Sequence, residues 1–137
     1  MTKEDLDDLE YIVTGACIEV HKALGPGLLE SVYHKCLKHE LHLRKINYKS
    51  EVIVPVNYKG LEVEAELRCD FLIEDILVLE LKAVDAVHPI HEAQILTYMK
   101  LLKIPKGLLV NFNATSIVQI GKKSFVNEIY KERYLKD

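Results

Sequence analysis

The sequence predicts a single α/β domain with a mixed central β-sheet flanked by helices, and three observations support that fold class. The 137 residues fit one domain, residues 1–137, without internal repeats or linkers. Hydrophobic residues make up 49% and charged residues 28%, a balance that is typical of a globular protein and excludes a disordered one. Periodic segments follow one another as α-α-β-β-β-α-β-β-α, which is the order of an α/β fold.

Two helices are predicted at the start of the chain. Apolar residues recur at helical spacing over roughly residues 4–24, which predicts an amphipathic helix. The tripeptide Gly25-Pro26-Gly27 ends it, and a second helix is predicted from about Leu28 to Arg44. The second helix and the residues just after it are basic, whereas residues 50–80 are acidic. Such blocks fit either a metal site beside a polyanion or solvated faces of helices and strands.

Three strands are predicted in the middle of the chain. The first covers Glu51–Tyr58, and Pro55 inside it indicates an edge position because proline cannot donate to a strand ladder. After the turn at Lys59-Gly60, apolar and polar residues alternate strictly over Leu61–Ile73, which predicts a half-buried strand. The nearly continuous apolar run Ile76–Leu81 predicts a central strand that is buried on both faces.

The last third of the chain is predicted to hold a helix, two strands and a short helix. Pro89 stands where the first turn of a helix tolerates proline, and this helix extends to about Lys103. One strand is predicted over Leu108–Phe112 and another within Ile117–Val126, and the final helix ends near Tyr134.

Two charged residues lie at the end of the predicted central strand. Glu80 and Lys82 share one face of this strand, because side chains in a strand alternate with a period of two. A buried carboxylate is strongly destabilising unless something compensates its charge. The simplest compensation is an ion pair of Glu80 with Lys82 or with Arg68. A second possibility involves Asp70, which lies on the polar face of the preceding strand.

The hairpin between these two strands decides how Asp70 and Glu80 lie. A three-residue connection over residues 74–76 sets Asp70 opposite Glu80. Both carboxylates then share one face with Arg68 and Lys82. The opposite face is entirely apolar: Cys69, Phe71, Ile73, Leu77, Leu79 and Leu81. Adjacent carboxylates repel each other unless a proton or a cation separates them, so this register fits a hard divalent ion such as Mg²⁺. These residues alone leave a metal site and a structural ion pair equally open.

The spacing Asp70-x₉-Glu80-x-Lys82 resembles the active-site motif of the PD-(D/E)XK nuclease superfamily. Gly27-Leu-Leu-Glu30-Ser-Val-Tyr33 resembles the motif that names the GxxExxY family, a branch of this superfamily. Gln94-Ile-Leu-Thr-Tyr98 resembles the Gln-x₃-Tyr motif of RecB-like nucleases. Gly107-Leu-Leu-Val-Asn-Phe-Asn113 resembles the family's late strand. The resemblance extends from about Tyr11 to Val126.

The resemblance implies a restriction-endonuclease-like fold and metal-dependent hydrolysis of phosphodiester bonds in DNA or RNA, with Mg²⁺ or Mn²⁺ as the cofactor. It implies that Asp70, Glu80 and the backbone carbonyl of Leu81 bind the metal. Lys82 matches the lysine that orients or polarises the attacking water and stabilises charge developing on the phosphate. Three more residues would line the same site: Glu30, Gln94 and Tyr98.

Plainer roles stay open for several residues. Tyr33 is expected in the core, with a hydroxyl that orients the Glu30 carboxylate, and Tyr98 fits half-buried packing as well as substrate contact. His91, on the helix face of Gln94, fits a polar residue at a helix start. The net charge of −3 argues against strong nonspecific binding of nucleic acid. The alternative function is therefore a nucleic-acid-binding or protein-interaction module that keeps the fold with little or no activity.

Other features of the sequence indicate where the chain works. Its three cysteines are widely spaced, a pattern typical of free thiols in a reducing cytoplasm. The acidic N-terminus lacks the apolar core of a signal peptide, and no apolar run is as long as a membrane span. The interpretation includes no membrane partner, whereas a homo-oligomer or a protein partner is compatible with so small and acidic a chain.

Overall fold

The computed structural model describes residues 1–64 and 66–136. The elements within them are, in chain order, α1 (Lys3–Leu24), α2 (Glu30–Leu43), β1 (Tyr48–Ile53), β2 (Val56–Tyr58), β3 (Leu61–Val63), β4 (Arg68–Ile73), β5 (Leu77–Lys82), α3 (Pro89–Leu102), β6 (Lys106–Asn111), a π-helical turn (Ile117–Gly121), β7 (Lys122–Val126) and α4 (Glu128–Tyr134). Strands β1, β4, β5, β6 and β7 form one sheet in that spatial order, while β2 pairs with β3. Neighbours run antiparallel except β5 and β6, which run parallel. This mixed sheet flanked by helices confirms the predicted fold class.

The first two helices begin and end close to their predicted bounds. The Thr2 side chain accepts a hydrogen bond from the Asp5 N–H, and the Asp5 carboxylate accepts one from the Thr2 N–H, so α1 starts with a capping box. Gly25, at φ 74°, ends α1, and its N–H donates to the His21 carbonyl. Helix α2 begins directly at Glu30. None of the helices in the described part of the chain combines the length and the apolar character that crossing a membrane requires.

Two predicted strands are each divided in the structure. Pro55 lies between β1 and β2, so the strand predicted over Glu51–Tyr58 becomes two strands in different sheets, of which β1 lies at a sheet edge. The alternating stretch Leu61–Ile73 divides into β3 and β4, and Ala65 within it lies outside the described residues. Strand β3 pairs with β2 across Lys59-Gly60, while β4 pairs with β1. Alternation predicts an extended backbone and leaves its partner strand undetermined.

The strand predicted within Ile117–Val126 is present, and it occupies only the second half of that segment. Residues Ile117–Gly121 form a single π-helical turn, and β7 begins only at Lys122. A Cβ atom at Gly121 would lie 2.8 Å from the Asn111 carbonyl oxygen. Because glycine has no Cβ atom, it lets this turn approach the end of β6 so closely.

The hydrophobic core forms two layers, one on each face of the sheet. The first layer packs under α1, α2 and α4 and contains the buried rings of Tyr33 and Phe112. The second layer packs under α3 and contains Val78 and Tyr98. Strand β5 contributes to both layers, and its first five residues are buried. This burial confirms the prediction of a central strand covered on both faces.

Candidate active site

The candidate site lies where strands β4 and β5 part. Their antiparallel register pairs Phe71 with Leu79, and three residues connect the two strands. The same register, continued by one residue, sets Asp70 opposite Glu80, which confirms the register predicted from the sequence. The pairing between β4 and β5 ends at Phe71 and Leu79, so the two carboxylates stand just beyond it.

The side chains of Asp70 and Glu80 replace the backbone ladder at this point. The Asp70 N–H donates to Glu80 Oε1 at 2.9 Å, and the Leu81 N–H donates to Asp70 Oδ2 at 2.7 Å. Each carboxylate thus uses one oxygen to accept from a backbone amide. In the described part of the chain, no further N–H group donates to the other oxygen of either group, and the two carboxyl groups lie within hydrogen-bond reach of each other. Each carboxyl group therefore keeps one oxygen without an N–H donor, just beyond the last paired residues of β4 and β5.

The carboxylate pair has no ion-pair partner among the described residues. The salt bridges within residues 1–64 and 66–136, at N···O distances up to 4.0 Å, involve neither Asp70 nor Glu80. Lys82 and Arg68, the two partners that the sequence offered, therefore do not neutralise Glu80 by direct contact. The ion pair that the sequence left open is therefore not formed within the described part of the chain.

Glu80 is the more buried member of the pair. It is 5% exposed, whereas Asp70 is half-buried. Burial, and next the negative charge of Asp70, raise the pKa of Glu80 to about 8, against the opposing effects of the Asp70 N–H and the Lys82 charge. Two carboxylates held in this way are stabilised when a proton or a cation is shared between them.

The donor set at the pair suits a hard cation. Mg²⁺ and Mn²⁺ prefer oxygen ligands, and Mg²⁺ is commonly bound by one or two carboxylates together with water and substrate phosphate. Among residues 1–64 and 66–136, three or more His, Cys, Asp or Glu side chains are nowhere gathered as a ready metal-binding group. A cation at Asp70 and Glu80 would therefore complete its ligands from backbone carbonyls, water or substrate.

Cys69 does not lie on the face that the sequence predicted. It packs in the layer that contains Leu72 and Val78, whereas strict alternation would place it with Phe71 in the other layer. The alternation of β4 is therefore broken between Cys69 and Phe71, which is where Asp70 stands. Asp70 thus occupies an irregular point of the strand, where a period of two does not assign a side chain to a face.

Glu30 approaches the carboxylate pair from the start of α2. Partial burial and the charge of Asp70 raise the pKa of Glu30, while the charges of Lys82 and His34 lower it. These influences require Glu30, Asp70 and Lys82 to lie close enough for electrostatic interaction. Glu30 therefore lies within electrostatic range of the pair, and its side chain is accessible to solvent.

Tyr33 holds the loop that precedes Glu30. The Tyr33 ring is fully buried and stacks on Phe112, with ring centroids 4.7 Å apart. Its hydroxyl donates to the Gly25 carbonyl and accepts from the Leu28 N–H. The expectation that this hydroxyl orients the Glu30 carboxylate is therefore wrong, because the hydroxyl fastens the backbone of the loop instead. The loop folds back over the helix, which helical spacing alone does not reveal.

Two asparagines at the end of β6 anchor the neighbouring loops, a role that the sequence did not predict. The Asn111 amide, 6% exposed, accepts from the Val84 N–H and donates to the Val84 carbonyl. Asn113 Oδ1 accepts from the Gly27 N–H at 3.0 Å, and Asn113 Nδ2 donates to Asp85 Oδ1 at 3.4 Å. A signal was available in the sequence, since polar side chains at the end of a buried strand need hydrogen-bond partners.

Lys82 ends β5 with a fixed backbone and a half-buried side chain. Its carbonyl accepts from the Phe112 N–H at 2.8 Å. Burial, and next the charge of Lys82, lower the pKa of His91. The same charge counteracts the effect of burial on Glu30 and Glu80. The ammonium group of Lys82 therefore acts on groups of α2, β5 and α3 together.

Helix α3 carries Gln94 and Tyr98, and of the two only Tyr98 has a described interaction with the carboxylate pair. Tyr98 is 5% exposed and packs in the second core layer. Burial, and next the charge of Glu80, raise the pKa of the Tyr98 hydroxyl. Gln94, one helical turn earlier on the same helix face, is partly exposed. His91 Nδ1 accepts from the His88 N–H at 3.1 Å, which is the polar role expected at a helix start.

Comparison with families of known proteins gives a match over most of the chain. A family model described as the PD-(D/E)XK nuclease superfamily matches residues 7–123. That span contains the candidate residues of α2, β4, β5 and α3. No curated protein and no solved structure matches the chain.

Proposed function

Because the chain belongs to the PD-(D/E)XK nuclease superfamily, we propose that it hydrolyses phosphodiester bonds in DNA or RNA with the help of a divalent metal ion. We also assign it to the GxxExxY branch, on the motif Gly27-x-x-Glu30-x-x-Tyr33. One observation carries the proposal. Asp70 and Glu80 are held together by two backbone amides and have no ion-pair partner in the described part of the chain.

The metal would be Mg²⁺ or Mn²⁺, bound by Asp70, Glu80 and the backbone carbonyl of Leu81. The Leu81 N–H donates to Asp70, and the N–H and C=O of one strand residue point to the same side of the strand, so the Leu81 carbonyl faces the same gap. The two free carboxylate oxygens match the hard ligands that these ions prefer. When bound, such an ion polarises a phosphoryl oxygen and lowers the pKa of a bound water.

Lys82 would act on water and phosphate, and not as a metal ligand. An ammonium group has three donors and no acceptor, so it cannot bind a cation. From its position near Glu30 and Glu80, it can hold the attacking water and stabilise the negative charge that develops on the phosphate. Its half-buried position strengthens this effect, because charges away from bulk water are less screened.

Three other residues would position the reacting groups. Glu30 remains accessible and can accept a hydrogen bond from a water molecule at the site. Gln94 presents an amide to the substrate backbone from the partly exposed face of α3. Tyr98 is buried beside Glu80, so it supports the carboxylate from within the core and is less suited to direct contact with substrate.

A second function, a binding module with little activity, is favoured by the charge of the chain. The net charge of −3 weakens nonspecific attraction to a polyanion. Such a chain would hold nucleic acid with the help of a protein partner or of a second copy of itself. Its free cysteines, Cys17, Cys36 and Cys69, fit a place of action in the reducing cytoplasm.

Cleavage of defined substrates distinguishes the two functions. Wild-type protein is incubated with single-stranded and duplex DNA and RNA, in Mg²⁺, in Mn²⁺ and in EDTA. We expect slow cleavage of at least one substrate in the presence of metal and none in EDTA. Binding of a substrate without cleavage in either metal would contradict the nuclease proposal and support the binding module.

A further inference from the structure

Asn113 connects the loop that precedes α2 to the loop that follows β5. Its Oδ1 accepts from the Gly27 N–H at 3.0 Å, and its Nδ2 donates to Asp85 Oδ1 at 3.4 Å. Glu30 begins α2 directly after the first loop, and Lys82 ends β5 directly before the second. One side chain thus links the two backbone segments that carry residues of the proposed site.

Both ends of the link between Asn113 and Gly27 are held in place by further contacts. Gly27 lies at φ 97°, a conformation that residues with a Cβ atom rarely adopt. Tyr33 fastens the loop on either side of Gly27 through two backbone groups. Asn113 is itself held by β6, because its own N–H donates to Asn111 Oδ1 at 3.2 Å. The loop is therefore tied to its own helix by Tyr33 and to the sheet by Asn113.

We propose that Asn113 is a positioning residue for the cleavage reaction: it fixes the Gly27 loop against the loop after β5 and thereby holds Glu30 at its working distance from Lys82. The inference rests on the proposed function. Without this link the start of α2 can shift relative to β5, although the core contacts of the helix remain. A misplacement of about 1 Å at a reacting group lowers a rate by up to about 100-fold.

The test compares Asn113→Ala with a matched control, Asn127→Ala. The Asn127 amide also makes two hydrogen bonds, accepting from the Tyr130 N–H and donating to the Ile104 carbonyl, but it lies at the start of α4. Two properties are measured for each protein. NMR gives the hydrogen exchange rate of the Gly27 amide, and steady-state kinetics give kcat and KM on the best substrate.

Asn113→Ala is expected to exchange the Gly27 amide faster than wild type, because that amide loses its acceptor. Its kcat is expected to fall by about 10- to 100-fold while KM stays within about threefold of wild type. Asn127→Ala is expected to keep the wild-type kcat. Asn113→Asp retains an acceptor for Gly27 but sets a carboxylate against Asp85 in place of the amide donor. It is therefore expected to protect the Gly27 amide and still to lose kcat, because only one half of the link remains.

An unchanged kcat in Asn113→Ala would overturn the positioning role while leaving the nuclease function intact. An equal loss of kcat in Asn127→Ala would also overturn it, because the effect would then reflect stability alone. So would an Asn113→Asp protein that keeps the wild-type kcat, because the link to the loop after β5 would then be dispensable. A wild-type protein that cleaves no substrate would instead remove the proposed function itself, which keeps the two failures distinct.

Discussion

Lys82→Ala is expected to lower the rate of phosphodiester cleavage by about 10²–10³-fold while leaving metal binding nearly intact. Asp70 and Glu80 carry the free oxygens for a cation, whereas the ammonium group cannot be a ligand. The substitution removes a fixed positive charge from the attacking water and the phosphate. It also removes a positive charge near Glu80 that would repel a cation, so metal affinity is expected to stay the same or to rise.

A paired assay of metal titration and cleavage measures this effect in wild type, in Lys82→Ala and in the control Lys100→Ala. Lys100 is exposed on α3, so the control removes one positive charge from the same protein away from the site. We expect the control to cleave at close to the wild-type rate. If Lys82→Ala cleaves as fast as wild type, the activity arises elsewhere and the role assigned to Lys82 is wrong.

Glu80→Gln is expected to stabilise the metal-free protein at pH 8 by about 1–3 kcal/mol. Burial, together with the charge of Asp70, raises the pKa of Glu80 from an ordinary 4.5 to about 8. Glutamine has the same shape, and its Oε1 can still accept from the Asp70 N–H. The substitution therefore removes the disfavoured charge, keeps the hydrogen bond and places an amide donor beside the Asp70 carboxylate.

The pH dependence of this effect has a definite direction. Below pH 4.5 the Glu80 carboxyl group is protonated in both the folded and the unfolded chain, so it does not change the free energy of unfolding. Between pH 4.5 and about 8 it ionises mainly in the unfolded chain, so wild-type stability falls as the pH rises through this range. Glu80→Gln lacks this loss. The two stability curves should therefore converge at low pH and separate towards pH 8.

Urea unfolding in EDTA at a series of pH values measures the two curves. Glu132→Gln, at an exposed position on α4, serves as the control and is expected to follow the wild-type curve. Added Mg²⁺ or Mn²⁺ is expected to stabilise wild type, because it binds the folded chain, and to stabilise Glu80→Gln much less. A Glu80→Gln protein that is less stable than wild type at pH 8 in EDTA would contradict the description of Glu80 as an uncompensated buried charge.

The register of the β4–β5 hairpin could be predicted because only one of the two registers considered puts the polar side chains on one face and the apolar side chains on the other. A two-residue turn would have sent Asp70 to the face opposite Glu80, since a shift of one residue exchanges the faces of a strand. The three-residue connection in the structure avoids that exchange. The central strand was predictable for a similar reason, because a continuous apolar run requires burial on both faces.

The hydrogen bonds that hold the loops beside the site could not be predicted from these patterns. Asn113 meets Gly27 across 86 residues of sequence, and Tyr33 turns its hydroxyl to a loop that folds back over its own helix. Periodicity indicates which face of an element is apolar, but not which loop the tip of a polar side chain will reach. The prediction for Cys69 was wrong because alternation assumes a regular pleat, and the pleat of β4 is broken beside Asp70.

Calorimetric titration with Mn²⁺ tests most directly the central claim that Asp70 and Glu80 form a metal site, since it needs no knowledge of the substrate. Asp70→Asn is the informative variant, because asparagine keeps an oxygen that can accept from the Leu81 N–H but lacks the negative charge. We expect wild type to bind Mn²⁺ and Asp70→Asn to lose that binding. Equal binding by the two proteins, or no binding by wild type, would contradict the metal site.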